Sequence, residues 1–408
     1  MARASKHHHA WQFKSRFRRN AFGWRGTRRA IERIDEALAE INAIARTDRI
    51  LAADGAVQFL ERVSPALEQV DSSSGALGSA VNRAIVELVE IIADAPADRL
   101  TREAWLERLW AAHEADAIPY IETLTDHWGE LCGSRDVASE WADRLVGITR
   151  MALSPDPKVR GYFHGASACF SALLGAERYT EIIDILKTET FWHYAKWAVK
   201  AHAARGEKAP AIRYAESFRD GRTPDVAIDR VCEEILLSSG LSDEAYARYG
   251  RTANRRGTYL ATFRAVSKKY PHKQPLEILT DLAADTPGEE GKWFAAAKDA
   301  QLFDLALELA RKSPCDPRTL ARAARDFATR KPAFAIEAGF IALHWVVEGY
   351  GYDITGLDVL DVFSQTMRAA EASGRTAETR ERIKILVGRA ASDGVVRRAL
   401  GSVLAHSA

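Results

Sequence analysis

The sequence predicts an all-α protein: a right-handed α-solenoid of stacked helical hairpins. Three observations carry that expectation. Apolar residues step by three and four through most of the 408 residues, the period of a single helix face. No window shows the sustained two-residue alternation of β-branched residues that marks a half-buried strand. One phrase also returns through residues 170–310: an apolar helix end, a glycine or alanine, a few polar residues, then a small or apolar restart. It reads LLGAERY at 173–179 before Ile182, and ARGEK at 204–208 before Ala211 and Ile212. It returns as SGLSDEA at 239–245, and as DAQLFD at 299–304 before Ala306 and Leu307. Gly175 to Gly206 spans 31 residues, Gly206 to Gly240 spans 34, and Gly240 to Ala300 spans 60, near two units. A helix–turn–helix unit of about 34 residues has this period, and each unit buries its apolar face only by stacking on a neighbour.

Residues 1–26 read as an irregular basic arm. His7, His8 and His9 stand beside Lys14, Arg16, Arg18 and Arg19, with Trp11, Phe13, Phe17, Phe22 and Trp24 interleaved. Arginine alternating with aromatics suits stacking on bases and neutralising phosphates. The same pattern suits a tail whose aromatics dock on the chain's own first helices, and that reading is the stronger. An Arg-rich, acid-poor transit peptide ranks below both. Three adjacent histidines are too few to claim a metal site.

Residues 27–153 read as N-terminal helical hairpins. Ile31, Ile34, Leu38, Ile41 and Ala45 line one face, leaving Glu32, Arg33, Asp35, Glu36 and Glu40 wet. A second helix covers about 48–70, with Ser64-Pro65 as a kink or fresh start. The loop at 71–75 leads to a helix over 80–93 that Pro96 stops, and further helices follow at 101–115, 119–131 and 135–151. Trp105, Trp110, Trp128 and Trp141 are large enough to anchor the core between them. Ser154-Pro155-Asp156-Pro157 is the expected boundary, with Asp156 as N-cap and Pro157 as first helical residue. Residues 154–355 form the repeat solenoid. Helix starts recur in it at Thr223-Pro224-Asp225, at Asp316-Pro317, and at 286–289, where Thr286 and Glu289 suit a capping box. Residues 356–408 read as two or three capping helices.

Composition places the chain among soluble proteins, at 47% hydrophobic and 28% charged. No apolar run approaches membrane-spanning length, and no apolar stretch suits a signal peptide. Cys132, Cys169, Cys232 and Cys315 are widely spaced without a C-x-x-C, which fits reduced thiols and a cytoplasmic location. The net charge of +1 hides an asymmetry. Residues 1–31 hold nine Lys/Arg and no acid; residues 245–276 hold eight more and again no acid. Outside both stretches, 40 basic groups face 56 acidic ones. That concentration is the strongest functional clue in the sequence.

Residues 70–75 (VDSSSG), 241–249 (LSDEAYARY), 258–272 (TYLATFRAVSKKYPH) and 286–299 (TPGEEGKWFAAAKD) carry a resemblance. They are similar to a bacterial family of helical-repeat proteins catalogued as a domain of unknown function, over most of residues 50–365. The resemblance implies an all-helical bacterial protein. It brings no activity and no functional residues, and the first 30 residues fall outside it.

Motifs of catalysis are missing. Gly288-Glu289-Glu290-Gly291-Lys292 has too few residues between its glycines for a phosphate loop, and Trp293 replaces the Ser/Thr. Residues 349–353 (GYGYD) follow a helix, so a turn with glycines at positive φ is the reading. His113-Glu114 lacks the second histidine of H-E-x-x-H, because Ala117 stands there. His127, His164, His193 and His344 read as hydrogen-bonded, partly buried side chains, and the cysteines as inert thiols.

The basic stretch says more. Arg248, Arg251 and Arg255 share one helix face by spacing, with Arg256 beside them. Arg264 and Lys268 lie one turn apart on the next helix, and Arg318, Arg322 and Arg325 repeat the pattern further on. Stacked in parallel, these rows would line one cationic groove; solvated or salt-bridged faces are the competing reading. The expectation is therefore a tetratricopeptide- or HEAT-like, non-catalytic scaffold for a protein or peptide, with no cofactor, no metal and no membrane. The alternatives are a nucleic-acid-associated protein using Arg16, Arg18, Arg19 and the basic repeat face, and an enzyme whose site forms between repeats.

Overall fold

The computed structural model describes residues 9–391 and 394–405, and among them all regular structure is helical, with no strand. His7 and His8 of the histidine triplet lie outside the described residues. The chain divides into two compact units, residues 1–223 and 224–408. The division falls at Thr223–Pro224, and residues 154–157 lie inside the first unit.

The first unit opens with α1 (Phe13–Arg16), α2 (Thr27–Ala45), α3 (Arg49–Leu67), α4 (Ala76–Ala93) and α5 (Arg99–Glu114). A 3₁₀ turn (Glu122–His127) then leads into α6 (Trp128–Cys132), where a single helix over 119–131 was expected. After it come α7 (Arg135–Ala152), α8 (Ala166–Gly175), α9 (Tyr179–Leu186), α10 (Trp192–Ala204) and α11 (Lys208–Glu216). Side chains of Asp48, Asp98 and Ser134 accept the amides of Leu51, Thr101 and Val137, satisfying free N–H groups where α3, α5 and α7 begin. The helix expected from Pro157 does not form. Asp156 closes one turn, its carbonyl accepting the amides of Val159 and Arg160; the Gly161 amide then donates back to Ala152, and the chain stays irregular until α8.

The arm docks on its own unit. Trp11, Phe13, Phe17 and Phe22 are buried, and Phe59 of α3 meets Phe13 and Phe17 edge-on, at 5.7 and 5.0 Å between ring centroids. Trp11 lies flat against Gly55, where an added Cβ would come within 2.2 Å of the ring. Glu40 accepts the amides of Gln12 and Phe13. Deeper in, the buried Arg102 guanidinium donates to the carbonyls of Ile92, Ala93, Ala95 and Leu131, groups that helix ends otherwise leave without partners.

The second unit holds α12 (Asp225–Leu237), α13 (Ser242–Ala245), a π-turn (Tyr246–Gly250), α14 (Arg251–Ala253), α15 (Tyr259–Lys269) and α16 (Pro275–Ala284). It continues through α17 (Phe294–Asp299), α18 (Phe303–Lys312), α19 (Pro317–Phe327), α20 (Pro332–Val347), α21 (Gly356–Ala372), α22 (Thr376–Arg389) and α23 (Val395–Ala405). Asp316 caps α19 as expected. The capping box at 286–289 is absent: Gly288 turns the chain at φ +83°, and Thr286 instead donates to the Leu282 carbonyl and accepts from the Trp293 indole. In each unit the main partners of a helix are the next one or two in sequence, as with α2 on α3 and α4, or α19 on α20 and α21. Stacked hairpins need this local pattern.

The repeating phrase has a backbone explanation. Glu177, Gly206, Gly240, Gln301, Gly349 and Gly374 all take positive φ. After each, an amide reaches back across the turn: Arg178 to Leu173, Glu207 to His202, Leu241 to Leu236, Leu302 to Ala297, Tyr350 to Trp345 and Arg375 to Ala370. This is the Schellman C-cap, which satisfies carbonyls at the helix end and reverses the chain in a few residues. Gly175, read from the sequence as the turn residue, is the last residue of α8; it packs its backbone on Gly129, and Glu177 makes the turn.

A buried carboxylate ties the second unit's first hairpins together. Glu233 of α12 accepts from the Asn254 amide at 2.6 Å, the Tyr270 hydroxyl at 2.5 Å and the Lys269 ammonium at 2.6 Å. Three donors offset the cost of burying the charge. Gly250 is needed for this approach, since a Cβ there would lie 2.6 Å from the Tyr270 oxygen.

Two outcomes follow for chemical denaturation. Gln301→Gly, which removes side-chain strain at φ +61°, should raise stability by up to about 1 kcal/mol, and Gly206→Ala should lower it by a similar amount. Tyr270→Phe removes one of three donors to Glu233 and should cost about 1.5–3 kcal/mol; equal stability of this variant would show that the bond contributes nothing.

Candidate anion-binding grooves

The predicted basic residues have separate fates. In the first unit Arg16 pairs with Glu36, and Arg19 lies 3.6 Å from Glu68, while Arg18 is exposed. Of the interleaved aromatics, Trp11, Phe13, Phe17 and Phe22 are buried and so not available to stack on bases, while Trp24 is exposed. In the second unit Arg248 pairs with Glu244 at 2.8 Å, Arg251 with Asp285 at 2.6 Å and Arg264 with Asp299 at 2.7 Å. Arg248, Arg251 and Arg255 do not share a face. The π-turn shifts the register after Tyr246, and the helix ends at Ala253, leaving Arg255 and Arg256 in the following loop.

Two clefts of the second unit collect what remains. The first, about 410 Å³, is bordered by Arg251, Arg255 and Arg256 together with Tyr259, Glu289 and Trp293. Burial works against the charge of Arg251, but Asp285 holds its proton more tightly than usual. The Glu289 carboxyl sits below the ordinary range because Lys292 and the Tyr259 hydroxyl donate to it. This cleft therefore presents Arg255 and Arg256 beside groups that already neutralise one another.

The second cleft, about 440 Å³, lies among α19, α20 and α21. Arg318, Arg322 and Arg325 enter it from α19; Leu343, Val346, Val359 and Val362 give it an apolar floor. Two of its three acids are engaged by their own helix starts; the third, Asp361, is exposed and accepts only from the Gln365 amide at 3.1 Å. Asp316 accepts the amides of Arg318 and Thr319, and Asp358 accepts the Thr355 amide and hydroxyl, with Arg318 at 3.6 Å. Those bonds, the backbone one first, hold the Asp358 carboxyl below its usual range. Arg325 pairs with Asp326 at 2.9 Å. Arg322 bonds only the Arg318 carbonyl and the Thr319 hydroxyl, so among the described residues it has no carboxylate partner. Tyr352 stands at the rim, 85% exposed. The two linings share no residue, and Arg248, Arg264 and Lys268 line neither.

Elsewhere the chemistry is quiet. All four cysteines are buried thiols outside any disulfide; burial pushes Cys132 and Cys315 up to about 12 and Cys169 to about 11, far from a reactive thiolate. No helix among the described residues is long and apolar enough to cross a membrane, and no group of three or more His, Cys, Asp or Glu there could hold a metal ion. At the false phosphate loop, Glu290 pairs with Lys312, and the Gly291 amide donates to Ser313. His127 contacts Glu130 at 3.3 Å and His193 contacts Ser167 at 3.2 Å, whereas His164 is exposed.

Among the described residues, His113 is the one strongly perturbed histidine. It is buried between Trp110 and His164, and burial first, then His164, lowers it to about 4. Above pH 6.5 the ring is neutral in both folded and unfolded chains. Below that, the unfolded ring binds a proton that the folded ring refuses until near pH 4, so stability falls as pH drops through this window, by on the order of 3 kcal/mol. The urea midpoint should fall more steeply between pH 6.5 and 4 in the parent than in His113→Phe; parallel slopes would refute the assignment.

Compared with models of protein families, with curated proteins and with solved structures, the chain shows no match.

Proposed function

We propose that this protein is a non-catalytic helical-repeat scaffold, a right-handed solenoid of stacked hairpins, whose α19–α21 cleft holds an acidic, apolar segment of a protein partner. The observation that carries the reading is Arg322, a cation without a carboxylate partner above an apolar floor. An incoming Asp or Glu completes that ion pair, and Leu- or Val-like side chains beside it pack against Val346 and Ile354. The reading includes a cytoplasmic location and kinship with the uncharacterised bacterial helical-repeat family that the repeat stretches resemble.

The test is fluorescence anisotropy with a labelled helical peptide carrying Leu and Glu three and four residues apart. Binding should weaken about tenfold or more when Arg322 and Arg325 are both changed to Glu, and should weaken with added salt. Unchanged affinity in that variant would sink the proposal. A single-stranded oligonucleotide serves as the competing probe. Salt-dependent binding of it, lost on changing Arg255 and Arg256 to Glu, would move the reading to nucleic acid.

A further inference from the structure

The first unit has its own cavity, about 240 Å³, between the 3₁₀ turn, the irregular segment before α8, and the start of α10. Its walls are aromatic. Tyr162 and Phe191 stand at its mouth, 76% and 58% exposed, and Tyr194 lies behind them with its ring 5.9 Å from that of Phe191, at 76°. Exposed aromatic rings set around one small cavity are not explained by core packing.

The charges around it are sorted by sign. Asp126 is held by Lys196 at 2.7 Å, so that pair is neutral as a unit. Glu122 lines the cavity, is exposed, and has no ion-pair partner among the described residues. The lining contains no Lys or Arg. Within the lining, His193 contacts the Ser167 hydroxyl at 3.2 Å, and burial, then Lys196, holds the imidazole below its usual range. The cavity thus combines three electron-rich ring faces with one unbalanced carboxylate.

From this arrangement we infer that Tyr162, Phe191, Tyr194 and Glu122 form a binding site for an alkylammonium head group. The negative faces of the rings attract a diffuse organic cation, and a quaternary ammonium gives up little hydration on entering. Glu122 supplies the opposite charge at the mouth. The volume suits a small head group rather than a drug-sized ligand. A free choline-like amine and a trimethylated lysine side chain present the same chemistry. The site is independent of the α19–α21 cleft, since every residue in it belongs to the first unit.

The full chain would be titrated calorimetrically with choline, with its neutral isostere 3,3-dimethylbutan-1-ol, and with a short peptide containing trimethyllysine. Saturable binding of choline or of the peptide is expected, with the isostere at least tenfold weaker. The tighter of the two cations identifies the source. Tyr162→Ala and Phe191→Ala should each weaken binding by about three- to thirty-fold, and Glu122→Gln should weaken it and flatten its salt dependence. Circular dichroism checks that these exposed-residue variants stay folded. Equal binding of the neutral isostere, saturation by neither cation, or full affinity in folded Phe191→Ala would each overturn the assignment.

Discussion

Among the described residues, six helices end on the same backbone device, a single residue at positive φ that lets an amide reach back over the last turn. The rest of the architecture depends on that reversal. A helix with one apolar face has to meet a neighbour before the chain has run far, and a short left-handed cap brings the next helix back against it. Where the cap is present, as between α8 and α9 or α17 and α18, the two helices pack directly on each other. Where it is missing, between α7 and α8, the chain crosses a long irregular stretch, and that stretch supplies Tyr162.

The legibility of this device in the sequence was uneven for a physical reason. Gly206 and Gly240 reveal their turns because glycine takes positive φ without strain. Glu177 and Gln301 adopt the same conformation with full side chains, so nothing in composition marks them, and the conspicuous Gly175 draws attention to the wrong residue. Gly175 is small for another reason: its backbone touches that of Gly129, a contact between residues far apart in sequence. The helical class and most helix starts were readable from apolar spacing and from caps such as Asp48, Asp98 and Asp316. The Thr286–Glu289 capping box had the right letters, but Gly288 reversed the chain between them.

Charge shows the same division between local and distant information. The row Arg318, Arg322, Arg325 could be read from spacing, since α19 is regular and begins where its Asp-Pro signal places it. The row from Arg248 could not, because a π-turn shifts its register and the helix ends at Ala253, before Arg255. The acids that quench Arg251 and Arg264 lie about one hairpin away, at Asp285 and Asp299. Spacing along one helix does not foresee such partners. The aromatic cavity was invisible for the same reason: its walls come from residues near 122, 162 and 191.

What a concave surface offers a ligand is therefore decided by which of its charges are already occupied. In the α19–α21 cleft, Asp316 and Asp358 are turned toward the amides that open their own helices, which leaves Arg322 and the exposed Asp361 as the lining charges outside those bonds. In the first-unit cavity the signs are exchanged: Lys196 is committed to Asp126, and Glu122 is the charge left over. Neither surface could be assigned from net charge, which is +1 for the chain. In the cleft lined by Arg255 and Arg256 the acids are likewise taken, Asp285 by Arg251 and Glu289 by Lys292. Counting charges would rank these three surfaces differently from tracing their partners, and the field at a contact is set by the charges that have no partner.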